Sequence, residues 1–246
     1  MQTSKELISL LNLKELGNHT FSGDSYTIGS PHVFGGQVLA QSINAAHKTI
    51  PENRFLHSLH GYFLEAGNLT VPILYKVEEM RNGGSFSTRR VTAKQQDQTI
   101  FILAASFHIK EEGFEHQISF DESIKYPEEL LSWDEMFVKF GDFLPKPMKQ
   151  FLSVDRPIAF KPVRTPNLLE PKNLPPNEQI WFRLKGEKQA LDYRTKQEIL
   201  TYISDYNLLN AAFNPNASTH NFGNTQTASL DHSMWFFRDF DFDDWM

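Results

Sequence analysis

Two residue types that could together handle a water molecule stand on consecutive segments late in the chain, Asp205 and Ser229. Asp205 lies within Tyr193 to Phe213, where Ile199, Tyr202, Ile203, Tyr206, Leu209 and Phe213 recur at helical spacing. It sits at the flank of that apolar stripe, one turn from Tyr202 on one side and from Leu209 on the other. A carboxylate at such an edge is partly desolvated and suited to act as a general base on water. Ser229 falls at the start of the next segment, Thr227 to Phe237, which reads as a strand, and its hydroxyl could orient that water. The competing reading of Asp205, a surface charge or a hydrogen-bonding partner of the following loop, is the commoner fate of such a group.

Other chemistries find less support. His57 and His60 are three apart on a segment that alternates like a strand, so they point to opposite faces. No H-E-x-x-H pair exists, and no metal site is expected. There is no G-x-S-x-G elbow, and Gly83-Gly84-Ser85-Phe86-Ser87 reads as a turn entering a strand. Ser229, Asp231 and His232 are too close along one strand to form a triad: Ser229 and Asp231 share a face and His232 points away. The absence of cysteine excludes a disulfide scaffold, thiolate zinc sites and a cysteine nucleophile. Gly35 and Gly36 precede a helical run without a P-loop pattern. They fit equally a helix N-terminus facing an oxygen that gains negative charge and a helix that passes close to a strand.

The elements that must hold these residues follow from pattern. Leu7, Ile8, Leu10, Leu11, Leu13 and Leu16 suggest a short amphipathic helix, and Tyr26-Thr27-Ile28 a short strand. From Gly35 to Lys48 the chain is small or apolar on most sides, as in a buried helix. His57 to Leu64, Pro72 to Val77, Ser85 to Lys94 and Thr99 to Ile109 then read as an antiparallel meander, with hairpin chemistry at Arg81-Asn82-Gly83-Gly84. A mixed, acidic stretch from about Lys110 to Leu152 carries a short helix around Trp133 to Phe140. Strands at Ile158 to Val163 and Gln179 to Leu184 precede the Asp205 helix, so helix plus sheet occurs twice. The 246 residues, 40% hydrophobic and 22% charged, have the composition of a globular protein able to bury a sizeable core. A net charge of −6 argues against a nucleic-acid binder, and no apolar run suits a membrane span. The opening MQTSKELISLLNLKELG lacks signal-peptide organisation, so a cytoplasmic protein is expected.

Several strings combine into something more specific. They are Val33-Phe34-Gly35-Gly36-Gln37-Val38 with Gln41, His57-Ser58-Leu59-His60 with Tyr62-Phe63-Leu64, Gly84-Ser85-Phe86-Ser87 with Arg89-Arg90-Val91, and Ala105-Ser106-Phe107. Further along come Gly113-Phe114-Glu115-His116-Gln117, Asp155-Arg156-Pro157 and Asp231-His232-Ser233-Met234-Trp235-Phe236. In this order the chain closely resembles the acyl-CoA thioesterase II family, from the first helix to the last residue.

The resemblance implies an α+β double hot-dog fold, in which two antiparallel sheets each wrap a long helix. It divides the chain into an N-terminal hot-dog domain over 1–110, a linker over 111–152 and a C-terminal hot-dog domain over 153–246. It implies hydrolysis of acyl-CoA to free acid and CoA by activated water, with no metal, no cofactor and no acyl-enzyme. Asp205, in Ile203-Ser204-Asp205-Tyr206-Asn207-Leu208, matches the family's catalytic aspartate, and Ser229 its threonine-or-serine. Gly35, Gly36, Gln37, His57 and Arg89 fall at expected substrate-binding positions, with Arg89 or Arg90 meeting CoA phosphates. The acyl chain is expected between helix and sheet. The third family member, a glutamine, lies beyond Trp245-Met246, so the second hot dog is expected to be truncated. A non-catalytic acyl-CoA binder or an inactive fragment is therefore the alternative. A hot-dog dehydratase is disfavoured, since no D-x-x-x-x-H unit accompanies either helix. The expected partners are acyl-CoA and further copies of the chain in a homo-oligomer, without nucleic acid or membrane.

Overall fold

The computed structural model describes residues 1–144, 146–164, 172–221 and 224–246. Helix α1 (Ser4–Leu11) starts at a capping box. The Thr3 hydroxyl accepts from Glu6 N, and the Glu6 carboxylate accepts from Thr3 N at 2.9 Å. Strands β1 (Lys14–Gly17) and β2 (Thr20–Gly23) follow, then helix α2 (Gly35–His47). The meander is β3 (Arg54–Phe63), β4 (Ile73–Asn82), β5 (Phe86–Gln95) and β6 (Gln98–Ile109). Helices α3 (Trp133–Phe140) and α4 (Lys146–Leu152) lead to β7 (Ile158–Pro162) and β8 (Ile180–Leu184). Helices α5 (Tyr193–Ser204) and α6 (Leu208–Phe213) and strand β9 (Asp231–Trp235) complete the set.

One seven-stranded antiparallel sheet has the order β1-β2-β4-β5-β6-β3-β9. A strand from the end of the chain thus joins the meander, with Leu59 opposite Met234 and Tyr62 opposite Asp231. Period-two alternation turns Val91, Ala93, Phe101, Leu103, Ala105 and Phe107 onto α2, whose residues from Gly36 to His47 are all buried. A second core gathers Phe160, Ile199, Tyr202, Ile203 and Phe242, together with Leu7 and Leu11 of α1 and Phe34 and Ala40 at α2. Strands β7 and β8 form their own two-stranded sheet, and Met246 exchanges backbone hydrogen bonds with Phe182 at 2.9 and 3.0 Å. No described helix is long and apolar enough to cross a membrane.

Three sequence expectations are corrected. Tyr26-Thr27-Ile28 is not a strand; the ladder position beside β4 is taken by β2, at Thr20–Gly23. Tyr193 to Phe213 is not one helix. Asn207 adopts the left-handed conformation at φ 67°, which separates α5 from α6, and asparagine tolerates that geometry better than most residues. The last strand is confined to Asp231–Trp235, so Ser229 precedes it.

Candidate active site

Helices α2 and α5 run antiparallel. Near the end of α2, Asn44 Nδ2 and His47 Nδ1 approach the Glu198 carboxylate at 3.1 and 2.8 Å, in an interface from which water is excluded. At its start, Gly36 packs beneath the Tyr202 carbonyl and against the Phe34 ring. The C-terminus of α5 therefore lies over the N-terminus of α2, whose first backbone N–H groups lack intrahelical acceptors and, with the helix dipole, favour negative charge.

Asp205 caps α5 at this crossing. Its side chain is only 8% exposed. Oδ2 lies 2.7 Å from where a Cβ on Gly35 would stand, and the Phe63 ring is 3.0 Å from the same point. Oδ1 has no hydrogen-bond partner among the described residues. The N–H groups of Gly35 and Gly36 likewise find no described acceptor, whereas Gln37 N donates to Phe34 O at 3.1 Å. Ser229 is half-buried. The next residue places it: Leu230 O accepts from Phe63 N at 2.9 Å, so Ser229 approaches the end of β3 that borders Gly35 and Asp205. Beside them, Tyr202 and Tyr206 face each other with hydroxyls 3.3 Å apart. Burial pushes the Tyr206 hydroxyl up to about 12, so it keeps its proton at neutral pH.

The structure thus brings together Gly35, Gly36, Asp205 and the segment of Ser229. It separates the other three expected residues from them. The Gln37 amide is turned the other way. Its oxygen accepts from Tyr26 N at 2.9 Å, and its nitrogen donates to Asp24 O at 3.0 Å and reaches Gln41, which ties the preceding loop to α2. His57 lies on the outer sheet face, 2.8 Å from Ser106 Oγ and ring-to-ring with Phe86 and His108. Six residues of strand, roughly 20 Å, separate it from Phe63.

Arg89 is 1% exposed, and all five of its N–H groups are used internally. They donate to Thr49 Oγ1 and O, Arg81 O, Thr88 O and Asn82 Oδ1 at 2.8–3.1 Å. It holds the C-terminal end of α2, so no donor is left for a CoA phosphate. Arg90 faces out and pairs with Glu78. Replacing Arg89 by Lys, which has three donors, should lower unfolding free energy by about 2 kcal/mol. The KM for acyl-CoA should not change. Urea titration and steady-state kinetics check both.

His57 carries a pH prediction. Burial and the neighbouring His108 hold its imidazole below the ordinary value. The unfolded chain then binds that proton more readily, so this site's contribution is intact above roughly pH 6.5 and lost as pH falls below it. His57→Gln should make the decline in stability from about pH 7.5 to about pH 5 shallower, as read by urea midpoints.

Pattern reasoning missed His232. It was expected to point away from Ser229 and Asp231, and it does, into the core, where Nδ1 lies 3.7 Å from Asp205 Oδ1. The available signal was that alternation itself, since the face away from an exposed Asp231 is the buried one. Two surface hollows, about 340 and 470 Å³, flank β7 and β8 and share Arg183 and Lys185; Asp205 lines neither. Among the described residues no three His, Asp or Glu side chains gather in a geometry that could hold a metal.

Comparison with known proteins agrees with this layout. The model of the acyl-CoA thioesterase N-terminal domain matches residues 22–108, and the acyl-CoA thioesterase model matches residues 148–246. Acyl-CoA thioesterase 2 of Haemophilus influenzae is 38% identical over 242 residues, 97% of this chain and 83% of that protein. The crystal structure of acyl-CoA thioesterase II TesB2 from Mycobacterium marinum superposes with a TM-score of 0.72 at 30% identity, covering 96% of this chain and 81% of that one. A protein with a hot dog fold from Alicyclobacillus acidocaldarius, 15% identical, has a TM-score of 0.71 over 94% of this chain and 77% of its own, which speaks to the fold alone.

Proposed function

Because the chain belongs to the acyl-CoA thioesterase family and has a hot-dog fold, we propose that it hydrolyses acyl-CoA to free acid and CoA with Asp205 as general base. One observation carries the assignment of the base. A carboxylate nine-tenths buried, with one oxygen that has no hydrogen-bond partner among the described residues, is held against the first residue of α2.

Asp205 takes a proton from water, and the resulting oxygen attacks the thioester carbonyl. Gly35 and Gly36 N–H groups, aligned with the dipole of α2, receive the charge that develops on the carbonyl oxygen. Ser229 orients the water. Collapse of the tetrahedral intermediate breaks the C–S bond, CoA leaves as thiolate and is protonated, and the carboxylic acid is released. General-base and oxyanion assistance supply about 10²–10⁴-fold and 10²–10³-fold respectively. The chain works in the cytoplasm as a homo-oligomer in this reading, symmetric assembly being the usual form of soluble oligomers.

The test is release of free thiol from octanoyl-CoA by the purified chain, followed with a thiol reagent. Steady turnover supports the reading. Octanoyl-CoA binding without thiol release overturns it in favour of a non-catalytic binder. Ser229→Ala should lower kcat by about tenfold to a hundredfold with KM unchanged, since orientation of the water, not binding, is lost.

A further inference from the structure

The mechanism leaves a buried histidine beside the base without a role. His232 lies on β9 between two exposed neighbours, Asp231 and Ser233, and its ring is turned inward to 5% exposure. Nδ1 stands 3.7 Å from Asp205 Oδ1, and neither atom has a hydrogen-bond partner among the described residues. Nε2 lies 3.0 Å from Ser204 Oγ.

The serine settles the tautomer. Ser204 has one hydroxyl proton and donates it to Thr201 O at 2.8 Å. Its oxygen must then accept from the ring, so His232 Nε2 carries a hydrogen and Nδ1 is the nitrogen that faces the carboxylate.

We propose that His232 is the positioning residue for Asp205: its ring, oriented by Ser204 and set against Oδ1 at 3.7 Å, fixes the carboxylate, leaving Oδ2, the oxygen beside Gly35, to receive the proton of water. Ser204 adjoins Asp205 in the chain, so the run Asp205–His232–Ser204–Thr201 ties β9 to the last turn of α5. The strand that carries the ring also fixes the Ser229 segment through Leu230, which couples the base and the water-orienting hydroxyl through one element.

This rests on Asp205 as base, and the two fail separately. The experiment measures octanoyl-CoA hydrolysis by His232→Leu, His232→Asn and Asp205→Asn in the whole chain, together with ¹⁵N shifts of the His232 ring. His232→Leu should lower kcat on the order of 10²-fold, the effect of a misplaced catalytic group, with KM unchanged. His232→Asn, whose amide N–H reaches the place of Nδ1, should recover part of that loss. The native Nε2 signal should be that of a protonated nitrogen, and Asp205→Asn should shift Nδ1 while sparing Nε2. Loss of activity in Asp205→Asn with full kcat in His232→Leu overturns this proposal alone. Full activity in Asp205→Asn overturns the base and the proposal with it. Should His232→Leu fail to fold, the native ring decides: a bare Nε2, or an Nδ1 indifferent to Asp205→Asn, overturns the proposal.

Discussion

Asp205→Asn folds like the parent and hydrolyses octanoyl-CoA about 10²–10⁴-fold more slowly. The substitution is nearly isosteric, so the crowded contact with Gly35 and Phe63 is kept, and what is lost is the ability to accept a proton. The same geometry sets the stability outcome. Oδ1 is buried and has no hydrogen-bond partner among the described residues, a state that costs free energy wherever it occurs. Exchanging the carboxylate for a neutral amide lowers that cost, so the melting temperature of Asp205→Asn should equal or exceed that of the parent, in the pattern of active-site residues kept at the expense of stability. Initial rates and a thermal melt measure the two effects on one sample. Unchanged turnover removes Asp205 from the mechanism. A large fall in melting temperature reassigns it to the fold.

The helices that hold Asp205 could be read from their spacing, and so could its place at the edge of an apolar stripe. Its true position, as the cap of α5, could not. The apolar period continues through Tyr206, Leu209 and Phe213 as though the helix did, while the left-handed turn at Asn207 answers to packing at the crossing with α2. Arg89 shows the opposite case. Ser87, Arg89, Val91 and Ala93 share one face of β5, and that face is the core, so alternation alone placed Arg89 inside and Arg90 outside. The expectation of a phosphate contact gave more weight to charge than to period. Gln37 follows the same logic: a polar side chain on a helix buried all round has to spend its hydrogen bonds internally, here on Asp24, Tyr26 and Gln41. The inward turn of His232 was legible in the same alternation, but what it meets was not. Its partner comes from a different element, and only the pairing of β9 with β3 carries the strand to the end of α5.

The two glycines at the start of α2 should separate fold from chemistry. A Cβ on Gly36 would overlap the Tyr202 carbonyl oxygen and stand 2.5 Å from the Phe34 ring. The carbonyl belongs to the backbone of α5 and cannot step aside, so Gly36→Ala forces the two helices apart. Overpacking of this kind costs about 1–3 kcal/mol, occasionally more, and here the strain reaches the buried Asn44–His47–Glu198 contacts further along the interface. At an unconstrained helix position the same change gains up to about 1 kcal/mol, so the sign itself is diagnostic. For a chain of this size the expected fall in melting temperature is about 2–12 °C. Gly35→Ala meets instead the ends of two side chains, Asp205 Oδ2 at 2.7 Å and the Phe63 ring at 3.0 Å. Those can rotate away, so stability should change little. The rotation, however, moves the base, and a displacement of about 1 Å is enough to cost on the order of 10²-fold in kcat. Urea titration and octanoyl-CoA kinetics on the pair should therefore give crossed results, Gly36→Ala losing stability first and Gly35→Ala losing turnover first. Equal stability of Gly36→Ala and the parent would mean that α2 and α5 do not approach as closely as the crossing requires, and the placement of Asp205 over the N-terminus of α2 would fall with it.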